Sequence, residues 1–479
     1  MRRAKIVATL GPALDDPAVL EAVLRAGVDV ARVNFSHGTE ESHLARVAQL
    51  RAAADRAGRV VAVLGDLPGP KLRVKIPAAR DLKAGDRVTF SLTHDPRHPD
   101  DVTITEPEVL GDVKPGQRLL LDDGRLQLRA EETKDGRLVT TVAVGGTLHP
   151  NKGLNLPETD LTIAAVTDRD RAAIAVAARA GVDWLALSFV RGPEAAEELR
   201  HAATEVGLRV PVLAKLERPE AVRRAASIVA AFDGVMVARG DLGVEMPLEQ
   251  VPTIQKQLIA EARAAGKPVI TATDMLDSMR NNPRPTRAEA SDVANAIYDG
   301  TDAVMLSGET AVGSYPVESV RCMARIVEET ELHLRDSGRS TPAPVFHRPG
   351  EEIDEAIASA ACRLADEVGA TALLTPTLTG RTPRLLARHR PRPLIVAPAP
   401  TPAVLRSMAV VWGLTPVAMA PLAAGSDRLA AAVRDAFAAG VVRPGDRVVV
   451  LAGHPTEGGL RFPTVRVVRV GEEGTALEP

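Results

Sequence analysis

The chain has 479 residues, which exceeds what one hydrophobic core usually organises, so two or three domains are expected. Its net charge of −3 gives no electrostatic basis for binding nucleic acid or an anionic membrane, and it has no apolar run long enough to span a bilayer. No signal-peptide pattern precedes the first strand pattern. Cys322 and Cys362 are the only cysteines, so we expect buried thiols in a cytoplasmic protein.

Short apolar runs alternate with helix signals through the first two-thirds of the chain, which is typical of βα units and a parallel sheet. One helix signal is Thr286 followed by Glu289, a capping box ahead of an apolar stripe. The predicted strands are 6–10, 30–35, 60–64, 184–189, 211–216, 234–238, 268–272 and 303–306. Eight such units are the number that closes a (β/α)₈ barrel, so this TIM-barrel fold is the predicted α/β class.

The interval between the third and fourth runs is too long for a βα loop. Within residues 70–156, alternating stretches such as 87–91, 102–105 and 138–144 are separated by Asp-Gly and Pro-Gly turns, which predicts a small inserted β-barrel domain. Because βα loops lie at the active-site face of a barrel, this domain is expected to act as a lid.

The chain is therefore divided into a catalytic barrel at 1–69 and 157–335, a lid at 70–156 and a third domain at 350–475. A polar, Pro-rich stretch at 336–344 predicts a linker. The third domain shows a helix ending at Gly369 and strands near 370–375, 394–397, 448–451 and 465–470. We expect a separate α/β domain of regulatory type.

Polar residues cluster at the ends of the predicted barrel strands, whose interiors are mostly apolar. They are Thr9, Pro12, Arg32, Asn34, Ser36, His37, Asp66, Ser188, Lys215, Glu217, Arg239, Gly240, Asp241, Thr273, Ser307 and Glu309. The carboxyl ends of barrel strands converge on one mouth, so these side chains predict the active site there.

The pair Glu217 and Asp241 comes from adjacent strands and offers oxygen ligands for Mg²⁺, or for Mn²⁺. Lys215 precedes Glu217 by two residues, so both side chains point to the same side of the strand. An ammonium beside a metal suits the transfer of a phosphoryl group. The residues alone leave open that these carboxylates form strand-end ion pairs with Lys215 and Arg239.

Arg32, Asn34 and Ser36 alternate on one face of their strand. An arginine is a natural phosphate ligand, and asparagine and serine oxygens with a nearby Asp66 suit a further cation. Neither a P-loop nor a Rossmann fingerprint is present, so a nucleotide would lie between the barrel mouth and the lid.

Several segments together, in this order, resemble the pyruvate kinase family. They are KIVATLGP at 5–12, ARVNFSHG at 31–38, DLPGPKLR at 66–73, NKGLNLP at 151–157, MVARGDLGVE at 236–245, ATDMLDSM at 272–279, PTRAE at 285–289 and DGTDAVMLSGETA at 299–311. The resemblance implies a glycolytic phosphotransferase, a likeness of fold over all three domains, and a homotetramer. Its substrates would be phosphoenolpyruvate and ADP, and its products pyruvate and ATP.

The resemblance also implies a role for each matching residue. Glu217 and Asp241 would ligate the catalytic Mg²⁺, and Lys215 would steady the transferring phosphoryl group and the enolate. The substrate carboxylate would lie at the backbone of Arg239 and Gly240 beside Asp241 and Thr273, and Thr273 would act through water in protonating the enolate. The remaining implied contacts are Arg32 and Arg73 with the phosphoryl group, and Thr9, Pro12, Arg32, Asn34, His37 and Lys152 with the nucleotide.

The segment 66–73 departs from the family pattern. In many members a K⁺ ion lies near the equivalents of Asn34, Ser36, Asp66 and Leu67, and an acidic residue stands at the position of Lys71. With a lysine there, we predict that its ammonium replaces the ion and that K⁺ is not required. Further departures are Val312 and Asp274, whose effects the resemblance does not give.

The third domain carries Thr377, Thr379, Gly380, Arg381 and Thr382, similar to the family's effector phosphate loop. A phosphorylated effector is therefore expected, although a plain βα turn would have the same composition. Two other functions remain open from the sequence. One is another Mg²⁺-dependent barrel enzyme acting on phosphoenolpyruvate or pyruvate, and the other is a non-catalytic regulator that keeps only the fold.

Overall fold

The computed structural model describes residues 2–93, 97–134, 136–337, 352–420, 427–455 and 461–479. Most of the predicted linker, residues 338–344, lies outside these ranges. Within them, no helix combines the length and apolarity needed to cross a membrane.

The chain begins with two βα units and a third strand. Asp16 caps the first helix by accepting a hydrogen bond from the Ala18 amide, and Pro17 occupies the first helical position, where no amide donor is needed. These elements are β1 (Lys5–Thr9), α1 (Pro17–Ala26), β2 (Val30–Asn34), α2 (Glu40–Arg56) and β3 (Ala62–Leu67).

A β domain follows β3, as predicted. A five-stranded antiparallel sheet in the order β12-β8-β9-β10-β6 and two ribbons, β5 with β11 and β4 with β7, enclose an apolar core that includes Phe90, Leu119 and Leu128. Its strands are β4 (Val74–Lys75), β5 (Arg80–Leu82), β6 (Arg87–Ser91), β7 (Thr103–Ile104), β8 (Arg118–Leu121), β9 (Leu126–Lys134), β10 (Arg137–Val144), β11 (Gly146–Leu148) and β12 (Leu154–Asn155).

The βα pattern then resumes. Thr286 and Glu289 form the predicted capping box at the start of α9. The elements are α3 (Asp168–Ala180), β13 (Trp184–Leu187), α4 (Glu194–Glu205), β14 (Val212–Leu216), α5 (Pro219–Arg223), α6 (Ala225–Ala231), β15 (Gly234–Ala238), α7 (Arg239–Glu245), α8 (Val251–Ala264), β16 (Val269–Ala272), α9 (Arg287–Asp299), β17 (Ala303–Leu306), α10 (Gly308–Ala311) and α11 (Pro316–Asp336).

The eight predicted strands close into a parallel barrel in the order β1-β17-β16-β15-β14-β13-β3-β2, which confirms the predicted fold class. Interior side chains such as Leu64, Leu213 and Ile270 form a buried cluster that continues into the C-terminal domain. The two domains meet at the amino ends of the strands, where the Trp184 indole donates to the Ser407 carbonyl (3.1 Å) and the Lys5 ammonium to the Leu414 carbonyl (2.7 Å). The carboxyl ends, at the opposite face, remain available for a site.

The C-terminal domain is a mixed six-stranded sheet in the order β20-β19-β18-β21-β22-β23. The strand at 414–418 was not predicted, because Pro416 argues against a central strand, and the structure places it at the sheet edge, where proline is tolerated. The elements are α12 (Glu352–Glu367), β18 (Ala372–Leu374), α13 (Arg381–Ala387), β19 (Leu394–Ala399), α14 (Pro402–Ser407), β20 (Leu414–Ala418), α15 (Arg428–Ala438), β21 (Arg447–Pro455), β22 (Arg461–Val470) and β23 (Ala476–Leu477).

Candidate active site

The carboxyl ends of β2, β3, β13 and β14 bring a connected group of charged side chains together. The Lys215 ammonium lies 2.9 Å from Glu217 Oε1 and 3.3 Å from Asp66 Oδ1, and it donates to the Ser188 hydroxyl at 2.7 Å. Asp66 in turn accepts from Arg32 Nε at 2.6 Å. All these side chains are buried, so their charges interact with little screening by water.

Burial and charge act against each other on these groups. Burial lowers the pKa of Lys215, but the carboxylates of Asp66 and Glu217 outweigh it, so its pKa is raised overall and the ammonium stays protonated. Burial raises the pKa of Asp66, but the charges of Lys215 and Arg32 outweigh burial and lower it below its ordinary value. The site therefore holds a protonated Lys215 ammonium in contact with an ionised Asp66 carboxylate.

Glu217 and Asp241 meet the requirements of a divalent cation. Burial raises the pKa of the fully buried Glu217 carboxyl, and the Asp241 carboxylate raises it further while Lys215 opposes the rise. Glu217 Oε2 accepts from the Phe189 amide at 2.7 Å, and Oε1 is paired with the Lys215 ammonium at 2.9 Å. A buried carboxylate and a second carboxylate that repels it are what a bound cation would satisfy.

The described residues contain no cluster of three or more acidic, histidine or cysteine side chains arranged to hold a metal. Two carboxylates are the usual protein contribution to a Mg²⁺ site that is completed by substrate oxygens and water. The donor set therefore fits Mg²⁺ better than a metal held by protein ligands alone.

Lys71 reaches from the start of the lid to the barrel. Its ammonium donates to Asp241 Oδ1 at 3.2 Å and lies 5.8 Å from the centre of the Phe189 ring. Oxygens of the predicted monovalent-cation site already accept hydrogen bonds within the protein. The Asn34 amide oxygen accepts from the Ser36 amide at 3.1 Å, and the Leu67 carbonyl accepts from the Ser188 hydroxyl at 2.7 Å.

The loop after β16 lies against the start of α7. The Gly240 amide donates to the Thr273 hydroxyl at 3.1 Å, and a Cβ at Gly240 would lie 3.0 Å from the Thr273 methyl carbon. The Arg239 side chain turns away from the mouth and donates to the Ala272 and Thr273 carbonyls. Thr273 has a φ of +74°, which is costly for a β-branched residue, and strain of this kind concentrates at functional sites.

The residues predicted to face the nucleotide lie farther apart from one another than the charged group around Lys215. Pro12 and His37 are exposed. Burial lowers the pKa of His37, and the neighbouring cations, Arg73 first among them, lower it further, so the imidazole is neutral in a positive field. Lys152 pairs with Asp122 within the lid at 2.8 Å, and Arg73 donates to the Asn151 carbonyl at 3.0 Å.

Thr9, which is also predicted to face the nucleotide, has a buried side chain. Its buried hydroxyl donates to the Leu306 carbonyl at 2.9 Å and accepts from Arg32 at 3.1 Å, so it is engaged within the barrel wall. Its contact with Arg32 makes it a support for that side chain.

The predicted effector loop runs from β18 into α13. The buried Thr377 hydroxyl accepts from the Gly380 amide at 2.9 Å and the Thr379 amide at 3.4 Å, so these amides point into the loop. Thr379 and Arg381 are exposed and Thr382 is half-buried, while Arg381 pairs with Asp354 at 3.1 Å.

Two features of the site were missed from the sequence. The Ser188 hydroxyl accepts from Lys215 and donates to the Leu67 carbonyl at the end of β3. The sequence identified Ser188 only as one of the polar residues at the strand ends. The lid is anchored by Arg218, which donates to the Leu156 carbonyl at 2.9 Å, and by Asn155, which donates to Glu245 at 2.7 Å. The position of Arg218 directly after Glu217 was the only available signal, because its partners are remote in the sequence.

Comparisons with known proteins agree with this arrangement. The family model described as "Pyruvate kinase, barrel domain" matches residues 1–320, and the model described as "Pyruvate kinase, alpha/beta domain" matches residues 355–468. A pyruvate kinase of Geobacillus stearothermophilus is 44% identical over 459 residues, covering 95% of this chain and 78% of that protein.

Two further relatives match over nearly their whole length. A pyruvate kinase of Mycobacterium tuberculosis is 42% identical over 478 residues, covering 98% of this chain and 99% of that protein. A pyruvate kinase of Methylorubrum extorquens is 41% identical over 463 residues, covering 95% of this chain and 94% of that protein.

Proposed function

The chain belongs to the pyruvate kinase family, and we propose that the residues at its barrel mouth carry out the family's phosphoryl transfer. The protein is a phosphotransferase that acts on phosphoenolpyruvate and ADP in glycolysis and yields pyruvate and ATP. The observation that supports this assignment of residues best is the buried Lys215 ammonium, which touches Asp66, Glu217 and Ser188 at the mouth.

We propose that Glu217 and Asp241 hold the divalent metal, Mg²⁺ or Mn²⁺, against the substrate. The bound metal supplies positive charge to the carboxylate and phosphate oxygens of phosphoenolpyruvate. Lys215 is held by its buried partners and offers a fixed ammonium to the phosphoryl group as it passes to ADP and to the enolate oxygen left behind. Arg32, positioned by Asp66 and Thr9, offers a second cation to the same phosphoryl group.

Substrate orientation and protonation are assigned to the loop after β16. The start of α7 at Gly240 and the Thr273 hydroxyl are proposed to bind the substrate carboxylate. Thr273 is half-buried, and a water held at its hydroxyl would deliver the proton that converts the enolate to pyruvate. The nucleotide is proposed to lie between the mouth and the lid, near Pro12, Asn34, His37, Arg73 and Lys152.

The Lys71 ammonium is proposed to replace a monovalent cation, so K⁺ is not required. Its 3.2 Å contact with Asp241 supports this, because it places positive charge beside the divalent-metal ligands. The engagement of Asn34 and Leu67 with neighbouring groups supports it too, since their oxygens already accept hydrogen bonds.

Further proposals rest on the sequence pattern and on family resemblance. They are a homotetramer, a cytoplasmic location, a phosphorylated effector, and domains at 1–69 with 157–335, at 70–156 and at 350–475. The effector is proposed to bind at Thr377, Thr379, Gly380, Arg381 and Thr382, where the Thr377 hydroxyl and the Gly380 amide already bond each other. Light scattering tests the tetramer, and kinetics with a panel of phosphorylated compounds test the effector.

The experiment for the site is Lys215→Met in a coupled assay of pyruvate formation from phosphoenolpyruvate and ADP. Losing one preorganised charge-stabilising donor is expected to lower kcat by about 100- to 1,000-fold. Lys256→Met, which removes an exposed lysine on α8, is the matched control and is expected to retain full activity. A Lys215→Met enzyme within about threefold of wild type would exclude the proposed role.

A further inference from the structure

A buried carboxylate at the start of α3 contacts the chain on both sides of the lid. The Asp170 side chain is fully buried, and its Oδ1 accepts from the Gly69 amide at 2.8 Å. Its Oδ2 accepts from the Thr167 amide at 2.9 Å and from the Thr167 hydroxyl at 2.6 Å. Gly69 directly precedes the lid, and Thr167 is the residue at which the returning chain enters α3. One side chain therefore fastens the outgoing and the returning chain to the same point of the barrel.

Full burial of this carboxylate is costly, because an aspartate is seldom fully buried without a cation beside it. Asp170 forms no ion pair with any residue that the structure describes. Burial raises its pKa, and the hydrogen bonds from Thr167 and Gly69 oppose this rise more than the charge of the adjacent Arg169 does. These hydrogen bonds are therefore the main interactions that stabilise the ionised carboxylate.

Capping of α3 does not by itself require a carboxylate. In α2, Ser42 occupies the position that Asp170 occupies in α3, and its neutral hydroxyl completes the capping box with Thr39. A hydroxyl has one oxygen, which the cap occupies, whereas the carboxylate of Asp170 has a second oxygen. That second oxygen is the one that holds Gly69. The contact beside the lid, rather than the cap, therefore explains the carboxylate.

The bond to Gly69 acts on the segment that carries Lys71. Gly69 cannot shift towards β13, because even a Cβ on it would lie 2.6 Å from the Ser188 carbonyl oxygen. The Gly69 carbonyl accepts from the Lys71 amide at 2.8 Å, so the two residues form one tight turn. From this turn the Lys71 ammonium reaches Asp241 at 3.2 Å. Asp170 thus fixes the base from which Lys71 extends.

We propose that Asp170 is a positioning residue for Lys71 and acts on it through Gly69. Its hydrogen bonds go to the chain beside the lid, and they set the place from which the Lys71 ammonium meets Asp241. The proposal rests on the proposed role of Lys71 at the barrel mouth and deepens it, because it names the side chain outside the mouth on which that role depends. A displacement of about 1 Å at a functional group can cost about 100-fold in rate, so a contact outside the mouth can control turnover.

A double-mutant cycle on kcat/KM for phosphoenolpyruvate tests the proposal, with the full-length protein, Mg²⁺, and tetramethylammonium as the only monovalent cation. Asp170→Ala removes both acceptor oxygens and is expected to lower kcat/KM by about 10-fold. In a Lys71→Met background the same change is expected to cost less than about twofold, because the group on which Asp170 acts is already gone. Adding K⁺ is expected to restore part of the loss in Asp170→Ala, as in Lys71→Met.

Thr167→Ala is the matched control. It removes the hydroxyl that caps α3 and leaves the bond between Asp170 Oδ1 and the Gly69 amide in place. Its urea midpoint is expected to fall, while its kcat/KM stays within about twofold of wild type and does not respond to K⁺. Asp170→Asn, which keeps the volume of the side chain and one of its two acceptor oxygens, is taken through the same cycle in case Asp170→Ala does not fold.

Losses that add in full in the double variant, or wild-type kcat/KM in a folded Asp170 variant, overturn the proposal. A loss of the same size in Thr167→Ala also overturns it, because the effect would then belong to the helix cap. A strict K⁺ requirement in wild type refutes the proposed replacement of K⁺ and leaves the coupling of Asp170 to Lys71 measurable. The two proposals therefore fail separately.

Discussion

Replacing Lys71 by methionine tests whether a side-chain ammonium does the work of a monovalent cation. The change keeps much of the length and apolar volume of the side chain and removes its charge. Lys71 Nζ lies 3.2 Å from Asp241 Oδ1, and nothing else in the described part of the chain pairs with this ammonium. The variant therefore removes one positive charge beside the proposed metal ligands and few other contacts.

The size of the effect follows from this distance. Two unit charges 3.2 Å apart attract by about 1.3 kcal/mol in bulk water and by about 5 kcal/mol at an effective dielectric constant of about 20. The Lys71 and Asp241 side chains are 31% and 29% exposed, so solvent screening places the interaction nearer the lower value. If the ammonium attracts the substrate phosphate as it attracts Asp241, roughly 1.5–3 kcal/mol is lost, which is about 10- to 100-fold in kcat/KM.

The assay measures pyruvate formation with tetramethylammonium as the only monovalent cation, and then titrates K⁺. Wild type is expected to be fully active without K⁺ and Lys71→Met to be impaired, with K⁺ restoring part of the loss. Lys75→Met, at an exposed lysine of the same lid strand region, is the control and should behave like wild type. A strict K⁺ requirement in wild type, or a Lys71→Met enzyme that is fully active without K⁺, would refute the reasoning.

Three further predictions concern the framework of the site. In urea titrations, Gly69→Ala should lower the free energy of unfolding by about 1–3 kcal/mol more than Gly58→Ala does. Both glycines have φ near +63°, but only at Gly69 would a Cβ lie 2.6 Å from a main-chain carbonyl oxygen. Equal losses would contradict this. Arg218→Ala leaves the buried carboxylates of Glu220 and Glu245 without their cation and should lower the free energy of unfolding by about 3–5 kcal/mol. A loss below about 1 kcal/mol would exclude the anchoring role of Arg218. Burial raises the pKa of the Cys362 thiol to about 12 and also raises that of Cys322. At pH 8 both thiols should therefore resist Ellman's reagent until urea unfolds the chain. Rapid labelling of the native protein would disprove this.

The barrel could be predicted from the sequence because its strands are short, almost entirely buried and separated by helices, several of which begin with a Thr or Asp cap or with a proline. Strand ends were predicted wrongly where the local sequence pattern differs from the pairing that the folded sheet imposes. The third strand was expected to end at residue 64, where its apolar run stops. It continues to Leu67, since pairing with β2 and β13 supplies its hydrogen bonds on both sides.

The meeting of charged side chains at the barrel mouth was predictable from their positions in the sequence alone. Polar residues at strand ends converge in any parallel barrel, so Lys215, Glu217 and Asp66 were expected to meet, and they do. The contact of Lys71 with Asp241 spans 170 residues and depends on how the lid sits, which no local pattern encodes. The positive φ of Thr273 is likewise set by packing, since threonine itself disfavours that conformation.

A cation attached to the chain differs physically from one that diffuses in from solution. Only three residues separate Lys71 from the end of β3, so the chain holds its ammonium near Asp241, and Gly69 in that segment packs against Ser188 at the end of β13. The same segment begins the lid, which Arg218 and Asn155 tie to the barrel on its other side. Under the proposed role of Lys71, its positive charge lies beside the proposed metal ligands only while the base of the lid keeps this position. Charge compensation by Lys71 would therefore depend on the position of the lid base, whereas a diffusible ion would leave the two independent.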